Sequence, residues 1–208
     1  MVCDQLVEAV RNGRVKEVKE LTQSAIDQGI APNVIIDEGL VKGMGVVGEL
    51  FGKGEMFVPE VMMASKAMNA GMELIKPLIK AGDITSKGTC VFATVKGDLH
   101  DIGKKLVVLM LEGASFRIID LGVDVKPQAI VDAVKKENAS IVGLSAMLTT
   151  TMSVMKEVCD MLKENGLDGV KVMIGGAPVS HDYAAKIGAN YAKDATEAVE
   201  LANRLVKN

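Results

Sequence analysis

Apolar positions along the first eighty residues recur at helical spacing and give no convincing strand. Leu6, Val7 and Val10 fit one face of a short helix broken near Asn12-Gly13, and Val15, Val18, Leu21, Ala25 and Ile26 fit a second. After Gly29 and Pro32, residues Ile36, Leu40, Met44, Val47 and Phe51 follow at intervals of 4, 4, 3 and 4, the spacing of a helix that buries one stripe. A fourth pattern runs from about Val58 through Val61, Met62, Ala64, Ser65, Met68, Met72, Ile75 and Ile79. Four amphipathic helices with short loops predict a bundle. Gly43-Met44-Gly45-Val46-Val47-Gly48 spells a dinucleotide-binding fingerprint. That motif belongs between a strand and a helix, whereas here the helical periodicity continues on both sides, so these are read as small residues that let helices pack closely.

The pattern changes after Lys80-Ala81-Gly82-Asp83-Ile84-Thr85-Ser86-Lys87-Gly88, a polar, Gly-bearing stretch read as a linker. Beyond it, short apolar runs near 89–95, 116–120, 140–145, 170–174 and 189–192 alternate with amphipathic runs near 102–113, 127–137, 151–165, 181–187 and 195–206. Five strand-helix units predict a doubly wound parallel sheet of flavodoxin-like, Rossmann-type architecture, in the order 2-1-3-4-5. The expected fold is therefore α/β, with an N-terminal four-helix bundle over 1–87 and a five-stranded domain over 88–208. Strands 1 and 3 would lie side by side at the topological switch point, where open sheets bind ligands beyond the carboxyl ends of their strands.

Composition adds mainly exclusions. The 208 residues are 49% hydrophobic and 25% charged, as in a soluble globular protein. No apolar run approaches the roughly 20 residues of a membrane span, and the first residues lack the basic and apolar regions of a signal peptide. A cytoplasmic protein without membrane association is expected. A net charge of −3 without a basic block argues against nucleic acid. Cys3, Cys90 and Cys159 are odd in number and far apart, so they are expected to be reduced and packed. Aromatic content of only 3% beside 13 Met predicts a pliable core.

Candidate chemistry lies where the first strand ends. Gly88–Val95 runs into Gly97-Asp98-Leu99-His100-Asp101-Ile102-Gly103, and a helix pattern then begins near Ile102 and continues through Leu106, Leu109 and Met110. Asp98, two residues before His100, is close enough to accept from one ring nitrogen while the other faces a metal. Gly103, without a Cβ, allows something bulky to approach the helix start. The residues alone leave a second reading open, a capped strand-helix loop with Asp98 or Asp101 as N-cap and His100 solvated. His181, the other His, opens a helix after Pro178-Val179-Ser180 and is expected to be exposed.

Asp98-x-His100-x-x-Gly103 resembles the cobalamin-binding signature of the corrinoid proteins of methyltransferase systems, the family that includes methionine synthase's cobalamin domain. Ser145-Ala146-Met147 is similar to the family's Ser-x-Leu, with Met for Leu, and Gly175-Gly176 to its downstream glycine pair. The three elements follow predicted strands 1, 3 and 4. The resemblance implies cobalamin, as methylcobalamin or another corrinoid, bound with its own benzimidazole displaced and His100 on cobalt. Asp98 would be the partner of His100, and Thr151, where methionine synthases carry Ser, would complete a proton relay. These three are the implied catalytic group. Asp101, Ile102, Gly103, Met147, Leu148 and Thr149 would contact the cofactor, Ser145 the displaced base, and Gly175 and Gly176 would leave room for the nucleotide tail. Gly54-Glu55-Met56-Phe57-Val58-Pro59-Glu60-Val61-Met62 resembles the segment opening the family's capping helix, which implies that Val58 and Met62 cover the upper, methyl-bearing face. Lys105 stands where relatives often have Asn and is read as helix surface.

The same resemblance implies a methyl carrier with three kinds of partner. A substrate-specific methyltransferase would load it, a corrinoid:tetrahydrofolate or corrinoid:thiol methyltransferase would unload it, and a reductive activase would restore it. No methyl-donor pocket is evident, so turnover by the chain alone is not expected. The alternatives are a mutase subunit, which needs the His motif but no four-helix cap, and a cobalamin-dependent sensor, which is expected to carry a DNA-binding head before the first helix.

Overall fold

The computed structural model describes residues 1–78 and 86–207. The chain forms two compact units, one starting at Met1 and one at Ser86. The Lys80–Gly88 stretch read as a linker lies outside the described residues up to Thr85.

The first unit is helical. Helices α1 (Val2–Arg11) and α2 (Val15–Asp27) are followed by a short α3 (Pro32–Val34), a π-helical stretch (Ile35–Val41), α4 (Lys42–Gly52) and α5 (Val58–Ile75). Leu6, Val10, Val18, Ile35, Leu40, Val47, Val61 and Ile75 are fully buried. The third predicted helix is continuous from Pro32 to Gly52 but changes its winding. At 100° per residue, a stripe repeating strictly every four residues drifts by about 40° at each step. The wider π winding offsets that drift, and Ile35-Ile36, Gly39-Leu40 and Gly43-Met44 are buried as adjacent pairs. The fourth predicted helix is corrected at its end. It stops at Ile75 and gives way to a 3-10 turn at Lys76–Leu78, because Pro77 has no N–H to donate and its ring clashes with the carbonyl one turn back. Ile79 lies outside the described residues. The fingerprint-like glycines sit on α4, as the helical periodicity requires. A Cβ on Gly43 would come within 2.7 Å of the Val10 Cβ, so α1 and α4 pack in close contact there.

The second unit alternates strands and helices: β1 (Thr89–Thr94), α6 (Ile102–Gly113), β2 (Arg117–Asp120), α7 (Pro127–Glu137), β3 (Ile141–Ser145), α8 (Met152–Glu164), β4 (Lys171–Gly175), α9 (His181–Ile187), β5 (Asn190–Tyr191) and α10 (Ala195–Leu205). Every end falls within one residue of its predicted position. The sheet order is β2-β1-β3-β4-β5, with all pairs parallel. Side chains alternate across a strand, so Val91 and Ala93 join Val142, Leu144, Val172 and Ile174 in one core beneath α7, α8 and α9. The connection through α6 crosses the sheet in the opposite direction to those through α7, α8 and α9, so the right-handed crossover rule puts α6 on the other face. Lys104 of α6, almost wholly buried, pairs with Asp120 at the end of β2. Adjacent strands β1 and β3 therefore send their loops to opposite faces, and the cleft between those loops is the switch point. Among the described residues no helix is long and apolar enough to cross a membrane.

Candidate functional site

Asp98 fills the switch-point cleft. Its side chain is fully buried, and it joins the loop after β1 to the loop after β3. Oδ2 accepts from the Met147 N–H at 2.7 Å and the Leu148 N–H at 3.2 Å, and the Thr151 hydroxyl lies 2.9 Å away. Oδ1 accepts from the His100 N–H at 3.1 Å and meets His100 Nδ1 at 2.8 Å. Burial alone would raise the carboxyl's pKa. The Met147 N–H, the two His100 contacts and the Thr151 hydroxyl outweigh it and hold the group well below the usual carboxylate range. An ionised carboxylate can only accept, so the His100 proton sits on Nδ1, and neutral imidazole then presents the Nε2 lone pair. The ring is 57% exposed, so that lone pair is accessible.

His100 stands in an apolar setting. Leu99 and Ile102 on either side of it are 72% and 79% exposed, and Met147 and Leu148 across the cleft are also exposed. Four large apolar side chains open to solvent around one imidazole form the kind of patch that marks a ligand surface. A Cβ built on Gly103 meets nothing within 4 Å, so the approach over the start of α6 is open. Among the described residues no three His, Cys, Asp or Glu side chains cluster as metal ligands. A metal at His100 must therefore bring most of its own ligands, as the cobalt of a corrin does. The residues present fit such a group: one outward nitrogen donor, oriented by a buried carboxylate and rimmed by apolar surface for a large macrocycle.

The structure brings together Asp98, His100, Thr151, Met147, Leu148, Ile102 and Gly103, and it excludes the N-cap reading for Asp98, whose bonds go to His100 and the β3 loop. Asp101 is half-buried and pairs with Lys105 at 2.5 Å, which lowers its pKa. Lys105 is thus on the helix surface. Thr149 is exposed on the β3 loop. Ser145 ends β3, in register with Thr94 and Gly175, and among the described residues its hydroxyl makes no hydrogen bond. The glycine pair is closely packed. Gly176 has φ +128°, and a Cβ there would lie 1.9 Å from the Ala146 carbonyl oxygen, while one on Gly175 would lie 3.0 Å from that of Ala192. Backbone approaches backbone at both positions, which by itself favours glycine there. Val58 and Met62 belong to the helical unit, where Val58 is half-buried at the start of α5 and Met62 is exposed.

His181 is exposed, opens α9 behind the Ser180 cap and lies against the Tyr191 ring at 5.8 Å. Cys90 and Cys159 are buried, and burial pushes their thiols up to about 12 and about 11. Cys3 departs from expectation in being only half-buried. Two residues that sequence reasoning missed also bond to the His100 loop. The buried Thr94 hydroxyl donates to the His100 carbonyl at 3.0 Å. From the β2–α7 connection, Asp124 Oδ1 accepts the Gly97 N–H at 2.7 Å. The pattern of the chain marks these positions only as a strand end and a turn.

The chain is similar over nearly its whole length to known proteins. Residues 88–202 match the B12 binding domain family, and residues 2–76 match a second family of the same description. Dimethylamine corrinoid protein 1 of Methanosarcina acetivorans is 43% identical over 209 residues, covering 98% of this chain and 98% of that protein. A corrinoid protein of Desulfitobacterium hafniense is 42% identical over 208 residues, covering 98% and 96%. Among solved structures, a chain of the methanol:cobalamin methyltransferase complex MtaBC from Methanosarcina barkeri matches with TM-score 0.93 and 35% identity, over 100% of this chain and 80% of that one.

Proposed function

We propose a function from one premise: the chain belongs to the family of B12-binding corrinoid proteins. It is a corrinoid methyl carrier that binds its cofactor with the cofactor's base displaced and His100 in its place. The observation that carries this reading is the buried Asp98, which fixes the Nδ1 proton of an exposed His100 and turns Nε2 outward among Leu99, Ile102, Met147 and Leu148. When bound, the corrinoid supplies a cobalt that accepts and gives up a methyl group.

The chain's own residues bind, orient and hold a proton. His100 gives Nε2 to the metal, Asp98 accepts from Nδ1, and Thr151 donates to Asp98, so the proton shared along Asp98 and His100 tunes the electron donation of the ring. Asp101, Ile102, Gly103, Met147, Leu148 and Thr149 form the contact surface, and Ser145 meets the displaced base beside Gly175 and Gly176. Val58 and Met62, in a region that itself matches a B12 binding domain family, take the part of covering the methyl-bearing face. Residues 1–87 and 88–208 serve as the two functional domains.

A substrate-specific methyltransferase is the partner that loads the carrier. The likeness to a chain of a methanol:cobalamin methyltransferase complex and to a dimethylamine corrinoid protein supports methanol or a methylamine as the donor class. A corrinoid:tetrahydrofolate or corrinoid:thiol methyltransferase unloads it, and a reductive activase rescues oxidised cobalt. Electron paramagnetic resonance of the Co(II) holoprotein made with nitrogen-15 histidine tests the reading. Coupling to protein nitrogen is expected, and coupling only to the cofactor's own base overturns it.

A further inference from the structure

We infer that Thr94 and Asp124 are positioning residues for His100: they fix the loop that carries it, so that the imidazole stands ready to ligate before a corrinoid arrives. The inference deepens the function proposed above and rests on it. An exposed side chain on a loop ordinarily samples many conformations, and ordering it on binding costs affinity. The His100 loop is held from two directions instead.

Thr94, fully buried at the end of β1, donates its hydroxyl to the His100 carbonyl at 3.0 Å. Asp98 takes the N–H and the ring of the same residue. Both backbone polar groups of His100 are thus satisfied by side chains whose own positions are locked by burial. Asp124 grips the loop three residues earlier. Its Oδ1 accepts the Gly97 N–H at 2.7 Å, and its own N–H donates to the Asp98 carbonyl at 3.0 Å. These two bonds fix the backbone on either side of Asp98.

Asp124 has φ +54°, a left-handed conformation uncommon for any residue but glycine. Such a conformation persists where the surroundings over-determine it. Here the next residue, Val125, donates its N–H to the Thr94 carbonyl at 3.1 Å and bridges Val95 as a parallel pair. Thr94 and Asp124 are therefore joined through the backbone as two ends of one clamp. The bonds of both run to the loop backbone, so both act through His100.

The test uses the full chain titrated with cob(II)alamin, reading affinity and the histidine-nitrogen coupling at saturation. Thr94→Val keeps the shape and removes the hydroxyl, and Thr94→Ser restores it. Asp124→Gly keeps the positive φ without strain and removes the acceptor, and Asp124→Asn restores it. Thr94→Val and Asp124→Gly are each expected to weaken binding about tenfold, the lower end for outer partners of a metal ligand, and to reduce the fraction showing histidine coupling. Serine and asparagine should recover both readouts.

In a His100→Ala background the same two substitutions should change affinity by less than about twofold, because a residue acting through His100 then has nothing to act on. Equal weakening in both backgrounds marks a general structural role and overturns the inference. If Thr94→Val does not fold, Asp124→Gly, at an exposed position, decides alone. Coupling that is present in the wild type and survives undiminished overturns this inference only. Its absence in the wild type overturns the proposed function as well.

Discussion

Five donors converge on the two oxygens of Asp98: the N–H groups of His100, Met147 and Leu148, the His100 ring and the Thr151 hydroxyl. An amide in its place offers one acceptor and one donor, so one cluster of N–H groups must face another N–H. Asp98→Asn is expected to reduce the stability of the cofactor-free protein at pH 7 by about 1–3 kcal/mol, the cost of buried groups left unpaired. The pH dependence has a definite sign. The folded carboxyl lies below its unfolded value of about 3.9, so its ionised form contributes stability that is present above that pH and lost as pH falls toward the folded value. Urea unfolding of wild type and variant should therefore show a gap that narrows below about pH 4. A gap constant from pH 7 to pH 3 would mean that the charge contributes nothing. The pairing of Asp98 with His100 was legible because only Leu99 separates them on a loop after a strand. The Met147 and Leu148 amides were not, since backbone donors have no identity in sequence.

Helices and strands set glycines of similar motif position in different surroundings. Gly103 and Gly176 both sit in motif positions after strands, yet the first has open space where a Cβ would go and the second meets the Ala146 carbonyl at a positive φ. Gly103→Ala is expected to leave cofactor-free stability unchanged or raise it by up to about 1 kcal/mol, the helix preference of Ala over Gly, while weakening corrinoid binding. Gly176→Ala should cost about 3 kcal/mol or more through strain and overlap. Thermal unfolding and cobalamin titration of the two variants check this, and equal loss of stability in both would remove the distinction. Sequence could not separate them, because both read as glycine after an apolar run and the contact of Gly176 comes from another strand's loop. The strands themselves were legible to within one residue because short apolar runs alternate with amphipathic ones. The π-helical Ile35–Val41 was hidden, since its spacing of four residues fits an ordinary helix over any single step.

At the scale of the whole molecule, order β2-β1-β3-β4-β5 makes one cleft between diverging loops, and Asp98, His100 and Thr151 all converge on it. That placement was legible before any side chain was located, because the order of strand-helix units dictates the switch point. Under the proposed function, the groups described at that cleft serve the cofactor rather than a methyl donor. A methyl group on oxygen or nitrogen is a poor electrophile, and its transfer calls for a metal or a positioned acid at the leaving atom. Asp98 is held ionised and fully buried, and so is no acid for a substrate. Thr151 is committed to Asp98, and His100 to the metal under the proposed function. His181 lies on α9 against Tyr191, and the pKa values of the Cys90 and Cys159 thiols are pushed up by burial. Under the proposed function, activation of the donor therefore falls to a separate methyltransferase. The full-length holoprotein, reduced to Co(I) and mixed with millimolar methanol, dimethylamine or trimethylamine, should show no appreciable methylation over minutes in its absorption spectrum. Addition of a matching methyltransferase should start the reaction. Rapid methylation without any second protein would make the chain a complete methyltransferase and place the missing acid or metal within it.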